Sequence, residues 1–318
     1  MHATTGKRVL GGRRRSSGNA STLSSNAGAR RRLGNQSKTC AVMEGAGEVA
    51  TAVAGLGGAA AVAAVLIGTD PQQRRSSMAA KSGGDEMASV REYFNTSGFD
   101  RWKKIYGETD DVNKVQLDIR TGHAQTVEKV LGWMDADAGA GESYEGQTVC
   151  DAGCGTGSLS IPLAMRGATV FGSDISSAMA GEASKRYADA SGASDCAGTA
   201  TFVAKDLESI DGKYDTVACL DVMIHYPQSK ADEMITHLAS LADKRIIVSF
   251  APKTLAYTVL KRIGELFPGP SKATRAYLHA EADVVAALDR AGWEIKRTEM
   301  TATSFYFSRL LEARPKTS

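Results

Sequence analysis

The sequence predicts an α/β fold: a seven-stranded, mostly parallel sheet with helices on both faces, preceded by an N-terminal helical lid. Three observations predict it. From Thr148 to the C-terminus, short apolar runs alternate with helical-period segments, the pattern of a parallel sheet covered on both faces. The first run, Thr148 to Ala152, feeds into the turn Gly153-Cys154-Gly155-Thr156-Gly157, placed where an open sheet binds ligands. The acids Asp151, Asp174, Asp206 and Asp221 fall at the ends of four successive runs.

The chain opens on a segment that cannot join that sheet. Residues 1–43 contain no Asp or Glu, yet carry basic clusters at Arg13-Arg14-Arg15 and Arg30-Arg31-Arg32. Rich in Arg, Ser, Gly and Ala, this stretch has the composition of an organellar transit peptide and too little apolar surface to offset the entropy of ordering. The net charge of +2 is set by this arm; the remainder is acidic, so the overall basicity is no argument for a nucleic-acid partner. The arm also lacks any aromatic residue to stack on bases. Residues 44–88 follow as an Ala/Gly-rich targeting or linker segment. Within it, Val49 to Gly68 is uncharged and about long enough to span a bilayer, leaving a membrane-directed signal and a retained anchor both open.

The globular part is expected in two pieces, a helical lid over 89–146 and a catalytic domain over 147–318 with a substrate-binding insertion at about 254–281. In the lid, Ser89 to Gly98 and Arg101 to Tyr106 read as short helices broken at Gly98 and Gly107, and Asp118 to Met134 has helical spacing of Ile119, Val127, Val130, Leu131 and Met134. Asp135 to Gly146 reads as a loop. Strands are expected at Thr148–Ala152, Thr169–Ser173, Thr201–Ala204, Thr216–Leu220, Arg245–Phe250, Trp293–Met300 and Phe305–Glu312, the last two joined by a short turn that makes one antiparallel. Helices are expected at Leu159–Arg166, Ser177–Ala190, Lys230–Leu241, Leu255–Phe267 and Ala282–Ala291. The five cysteines, Cys40, Cys150, Cys154, Cys196 and Cys219, are odd in number and scattered. They form neither a disulfide framework nor a zinc-ligand pattern. Cys150 and Cys154 read as small side chains packed near the glycine loop, with a redox-regulated thiol as the alternative.

The loop itself narrows the ligand. Its pattern is D-x-G-x-G-x-G, beginning at Asp151 and running through Gly153, Gly155 and Gly157, with Ser158 where a dinucleotide fingerprint carries its last glycine. S-adenosylmethionine has no phosphate; it offers an amino group and a sulfonium, which an acid at the loop start suits. Asp174, followed by Ile175, stands where an acid accepts both ribose hydroxyls. Asp206, followed by Leu207, reaches the adenine end, and Asp221 stands beside the methyl-transfer point. The alternatives are a dinucleotide site and, for Asp174 and Asp206, plain helix caps. The fold expected is a Rossmann-like class I S-adenosylmethionine-dependent methyltransferase, with S-adenosylmethionine as co-substrate.

Beyond the loop, the strings VREYFNTSGFDRWKKIYG from Val90, VNKVQLDIRTGHAQTVEKVLGWM from Val112, VCDAGCGTGSLSIPLA from Val149, LDVMIHYP from Leu220, SFAPKT from Ser249 and FPGPSKATRAY from Phe267 resemble the magnesium-protoporphyrin IX methyltransferases, over about Ser89 to Ala313. The basic prefix is similar to that of plant or algal members. The resemblance implies methyl transfer to a propionate of magnesium protoporphyrin IX in chlorophyll biosynthesis, with Tyr106 and His225 as catalytic residues and magnesium arriving only within the substrate. It also implies a chloroplast location, attachment to a chloroplast membrane surface, and handover from the large subunit of magnesium chelatase.

Simple chemistry agrees. A propionate is ionised at neutral pH and needs no strong base, so catalysis reduces to alignment and exclusion of water. A flat dianionic porphyrin wants an apolar slot with a basic rim; Lys272, Arg275 and Tyr277 are the candidate substrate-binding residues, an ordinary surface loop being the alternative. His123, His225 and His279 are each open as axial ligands to the porphyrin magnesium. A methyltransferase of another small acid or quinone would share the loop without these strings, and a non-catalytic tetrapyrrole-binding regulator would bind porphyrin without turnover.

Overall fold

The computed structural model describes residues 86–193, 196–254, 257 and 276–317. The transit segment, the Ala/Gly-rich run, the helix expected at Leu255–Phe267, Lys272 and Arg275 lie outside the described residues.

The chain enters through three helices, α1 (Glu86–Asn95), α2 (Ser97–Ile105) and α3 (Lys114–Gly139). The alternating part follows as β1 (Thr148–Ala152), α4 (Ser160–Met165), β2 (Thr169–Asp174), α5 (Ser177–Ala193), β3 (Thr199–Ala204), β4 (Tyr214–Cys219), α6 (Gln228–Leu241), β5 (Ala242–Phe250), α7 (Glu281–Arg290), β6 (Trp293–Ala302) and β7 (Phe307–Pro315). The seven strands lie in the order β3-β2-β1-β4-β5-β7-β6. β1 to β5 are parallel, and β7 inserts antiparallel between β5 and β6. The order reverses between β1 and β4, which opens a crevice beyond their carboxyl ends.

Strand periodicity divides the core into two layers. Cys150 of β1, Val217 and Cys219 of β4, and Ile246 and Val248 of β5 pack with Met234, Ile235 and Leu238 of α6 and Val284 and Leu288 of α7. Their strand neighbours Val149, Ala218 and Ile247 point the other way, against Val127, Val130 and Met134 of α3 and Leu163 of α4. Alternate residues facing opposite sides is the period of two, and each buried aliphatic stabilises by about 1.5–3 kcal/mol. One face of α3 therefore belongs to the same core as the sheet.

Three expectations about the entering helices are corrected. Gly98 lies inside α2, and the break falls at Thr96. Gly98 is needed for packing: a Cβ there would sit 2.6 Å from the Tyr93 ring. α3 begins at Lys114, not Asp118, because Asn113 and Gln116 form a reciprocal capping box, Asn113 Oδ1 accepting from Gln116 N (2.9 Å) and Gln116 Oε1 from Asn113 N (3.0 Å). It also runs on to Gly139, through residues read as loop. The acids there are held by arginines distant in sequence: Asp135 meets Arg166 (2.9 Å), and Asp137 meets Arg245 (2.6 Å) and Arg314 (2.8 Å). Arg245 is only 2% exposed; its charge is matched by Asp137, Glu142 and Glu312, as a buried cation requires.

Candidate active site

The glycine loop hangs from the tip of β2. Gly153 N and Cys154 N both donate to Ser173 O, each at 2.8 Å. Gly153 sits at φ +86°, and a Cβ there would lie 2.2 Å from Val222 Cγ2. Gly155 and Gly157 are also at positive φ. Gly153→Ala is expected to combine backbone strain of about 1–3 kcal/mol with that clash, weakening donor binding roughly tenfold or more by calorimetry while the sheet remains folded.

The acids at the strand tips differ in what holds them. Asp151 is buried, and Ser160 Oγ at the start of α4 donates to it at 2.5 Å; burial pushes its carboxyl up to about 6. Asp174 accepts from Gly155 N (3.0 Å) and Ser176 N (2.9 Å), and burial also pushes it up to about 6. Asp206 caps a short turn by accepting from Ser209 N (3.0 Å) and pairs with Arg91 of α1 (3.2 Å). The cap alternative for Asp206 is thus present in the fold, with the carboxylate still on the site. A cleft of about 300 Å³ runs past Asp206, Ile175, Ser177, Arg91 and Asn95. Leu207 is turned into the core instead.

α1 is part of this cleft's construction. Asn95 Oδ1 lies 3.2 Å from Ala178 N and 3.2 Å from Ser177 Oγ, capping α5 from another helix. Ser176 Oγ accepts from Met179 N (3.1 Å). Side chains at a helix start that satisfy free N–H groups are worth about 1 kcal/mol each, so α1 and the β2–α5 turn order one another.

Asp221, expected beside the methyl-transfer point, follows β4 as the sequence places it. Its backbone is at φ +60°, the one non-glycine residue in that region among the described residues. Its oxygens are filled from within the chain: His123 Nδ1 at 2.8 Å, Tyr306 OH at 2.7 Å, Ser249 Oγ at 2.9 Å and Ser308 Oγ at 3.1 Å. These hydrogen bonds, with the nearby His123, hold its carboxyl below the usual range despite burial. Asp221 acts as an anchor for His123 and for the turn before β7.

His225 follows on a single 3-10 turn, Met223–His225. Its Nδ1 is buried and meets no hydrogen-bond partner among the described residues. Burial pushes the imidazole down to about 4, against the pull of Asp221, so it is neutral at physiological pH. The Tyr106 phenol is raised well above its ordinary value by burial first, then by Asp221 and Asp174. The two residues are linked by a row of rings: His225 edge-on to Phe94 (5.3 Å), Phe94 by Trp102 (6.2 Å), Trp102 by Tyr106 (5.3 Å) and Tyr106 over His123 (4.5 Å). Tyr106 also overhangs the glycine loop, its Cε2 4.0 Å from where a Cβ of Gly155 would be. A second cavity of about 220 Å³ is lined by Tyr106, Arg120, His123 and Ser158.

The three histidines left open are now distinct. His279 is buried with one ring nitrogen 2.9 Å from Gln228 Oε1 and the other 2.8 Å from Met223 O, so neither is free for a metal. His123 has Nδ1 committed to Asp221, and His225 has an unpartnered Nδ1. Tyr277 returns beside the 3-10 turn, its N donating to Ile224 O (2.7 Å). The thiols of Cys150 and Cys154 are buried and raised, Cys150 to about 12. That disfavours the thiolate and hence ready oxidation.

Tyr306, Phe94, Trp102 and Arg186 stand around the candidate site without a role from sequence reasoning, which had weighed His123 only as a ligand to the porphyrin magnesium. Tyr306 comes from the turn before β7 and Ser308 from β7 itself, and only the tertiary fold brings them to Asp221. Asn113 and Gln116 did carry a readable cap signal for the start of α3, whereas the contact of His123 with Asp221 is tertiary.

Comparison with known proteins fits this geometry. Residues 219–315 match the family profile described as magnesium-protoporphyrin IX methyltransferase C-terminus, and residues 149–244 a methyltransferase domain. The chain is 58% identical over 273 residues to the chloroplastic magnesium protoporphyrin IX methyltransferase of Arabidopsis thaliana, covering 86% of this chain and 85% of that one. It is 57% identical to the magnesium-protoporphyrin O-methyltransferase of Synechocystis, covering 72% and 96%. A crystal structure of the Synechocystis magnesium protoporphyrin IX methyltransferase with bound SAH superposes with a TM-score of 0.65 at 56% identity, over 71% of this chain and 98% of that one. Identity of this order over most of both chains places the chain in the magnesium-protoporphyrin IX methyltransferase family.

Proposed function

We infer that this chain transfers a methyl group from S-adenosylmethionine to a propionate carboxylate of magnesium protoporphyrin IX, in chlorophyll biosynthesis within the chloroplast. The observation that carries the reading is the overhang of Tyr106 on the glycine loop, with His225, neutral and with an Nδ1 that meets no hydrogen-bond partner among the described residues, on the turn after β4. The residues fit the donor: the loop leaves room above Gly155, and Asp174 is a half-buried acid at the tip of β2, within reach of a ribose. When bound, S-adenosylmethionine supplies an electrophilic methyl on a sulfonium. Asp174 holds the ribose hydroxyls, Asp206 and Ile175 flank the adenine, and Asp151 pins the loop to α4.

His225, uncharged, donates a hydrogen bond to the propionate and selects which oxygen faces the donor, while Tyr106 closes the site from above and keeps water out. The attacking group is already an anion, so neither residue has to remove a proton. Lys272, Arg275 and Tyr277 are the residues we assign to the remaining carboxylate, on their charge and hydrogen-bonding chemistry alone. Attachment to a chloroplast membrane surface and receipt of the porphyrin from the large magnesium-chelatase subunit complete the proposal. The experiment is direct: the purified chain is incubated with methyl-labelled donor and magnesium protoporphyrin IX. Label in a porphyrin ester is expected, and none in a quinone or in another small acid; label absent from porphyrin overturns the reading.

A pH dependence follows from the two raised acids. Asp151 and Asp174 go from 3.8 to about 6 on burial, so their ionised forms are disfavoured in the folded protein. From these groups alone the free protein loses stability as pH rises from about 4 to 6. A cationic donor favours the ionised forms, so donor affinity is expected to fall as pH drops from 7 to 5. Protons should be released on binding near pH 6, measurable by calorimetry in buffers of different ionisation heat.

A further inference from the structure

The last carbonyls of a helix have no partner within it and are stabilised by cations. At α2 the four carbonyls from Lys103 to Tyr106 are taken by two arginines from other helices. Arg120 of α3 donates through Nε to Ile105 O (2.9 Å), and through Nη2 to Lys104 O (2.6 Å) and Thr109 O (2.9 Å). Arg186 of α5 donates through Nη1 to Tyr106 O (2.7 Å) and through Nη2 to Lys103 O (3.4 Å).

Arg186 does more than cap. The same Nη1 lies 3.0 Å from Thr156 Oγ1 in the middle of the glycine loop, and Thr156 is buried. Its Nε is held by Glu182 (3.1 Å), which in turn pairs with Lys103 of α2 (2.9 Å). One guanidinium thus joins the residue whose ring covers the loop to the loop itself. Lining a cavity beside Tyr106, Arg120 could be read as a carboxylate binder. Three of its N–H groups are already spent on backbone oxygens.

We propose that Arg120 and Arg186 are positioning residues that clamp the C-terminus of α2 and set Tyr106 over the donor loop, Arg186 coupling the two. This rests on the reading of Tyr106 as the residue that closes the site. A lysine cannot reproduce the clamp, because a point charge does not bridge two acceptors with fixed planar geometry.

The test uses the purified full chain with Arg120→Gln, Arg186→Gln and Arg186→Lys, and Arg290→Gln as a control far from the site. Each Arg120 or Arg186 variant is expected to lower kcat about ten- to hundredfold, with the donor Kd within about threefold. Amide exchange at residues 102–107 should accelerate about tenfold or more, with β4 and β5 amides unchanged. Arg290→Gln should match the parent in both. If Arg186→Gln does not fold, Arg186→Lys carries the test, since it keeps the charge beside Glu182. Parental exchange in α2, or parental kcat in the Arg186 variants, overturns the clamp. Failure of the parent itself to methylate porphyrin would instead contradict the functional reading, and the exchange measurement would still decide the clamp.

Discussion

His225→Ala is expected to lower kcat about 100-fold or more while leaving the donor Kd within about threefold. The argument begins with solvation. His225 sits on a short turn after β4, its Nδ1 buried and unpartnered among the described residues, and burial holds it neutral. A buried polar atom without a partner costs about 1–3 kcal/mol, and such a cost persists where a ligand satisfies it. The substrate carboxylate is the group that would do so. Removing the imidazole leaves that carboxylate free to rotate and admits water, so the loss falls on alignment. His225→Asn, which keeps a donor, should recover part of the rate. Steady-state kinetics beside calorimetry separates the two effects, and a matched loss in both would show that His225 supports the donor site instead.

Asp174→Ala is expected to do the reverse, weakening donor affinity about 100-fold, with kcat at saturating donor within about threefold of the parent. Charge-assisted hydrogen bonds are worth about 1.5–3 kcal/mol each, and Asp174 would lose those to the ribose. It would also release Gly155 N and Ser176 N, which it now holds at 3.0 Å and 2.9 Å, so the loop loses its shape before the donor arrives. Nothing in that chain of effects touches the porphyrin side. The pair of variants therefore divides the site into a donor half built on β1 and β2 and an acceptor half built on β4 and α2.

How much of this could be read from sequence depends on how local each interaction is. The sheet was legible because its signal is local: Val149 and Cys150, or Ile246, Ile247 and Val248, alternate between two apolar layers. The positions of the glycine loop and of Asp174 were legible because strand ends set both. The run from Asp135 to Gly139 misleads because its helicity depends on Arg166, Arg245 and Arg314, far away in the chain. What holds Asp221 is hidden in the sequence for the same reason. Its four partners come from α3, β5, β7 and the turn before β7, so its inward-facing role exists only after folding. The row Phe94, Trp102, Tyr106 and His123 is likewise invisible until α1, α2 and α3 meet above the loop.

The claim on which the rest stands is that the crevice beyond β1, β2 and β4 holds S-adenosylmethionine with its methyl toward His225. Titration of the purified chain with S-adenosylhomocysteine in a calorimeter tests it most directly. The expected result is saturable uptake of one molecule per chain, with a Kd on the order of micromolar, weakened in Gly153→Ala and Asp174→Ala and preserved in His225→Ala. No uptake by folded protein, or uptake indifferent to Asp174, would contradict it.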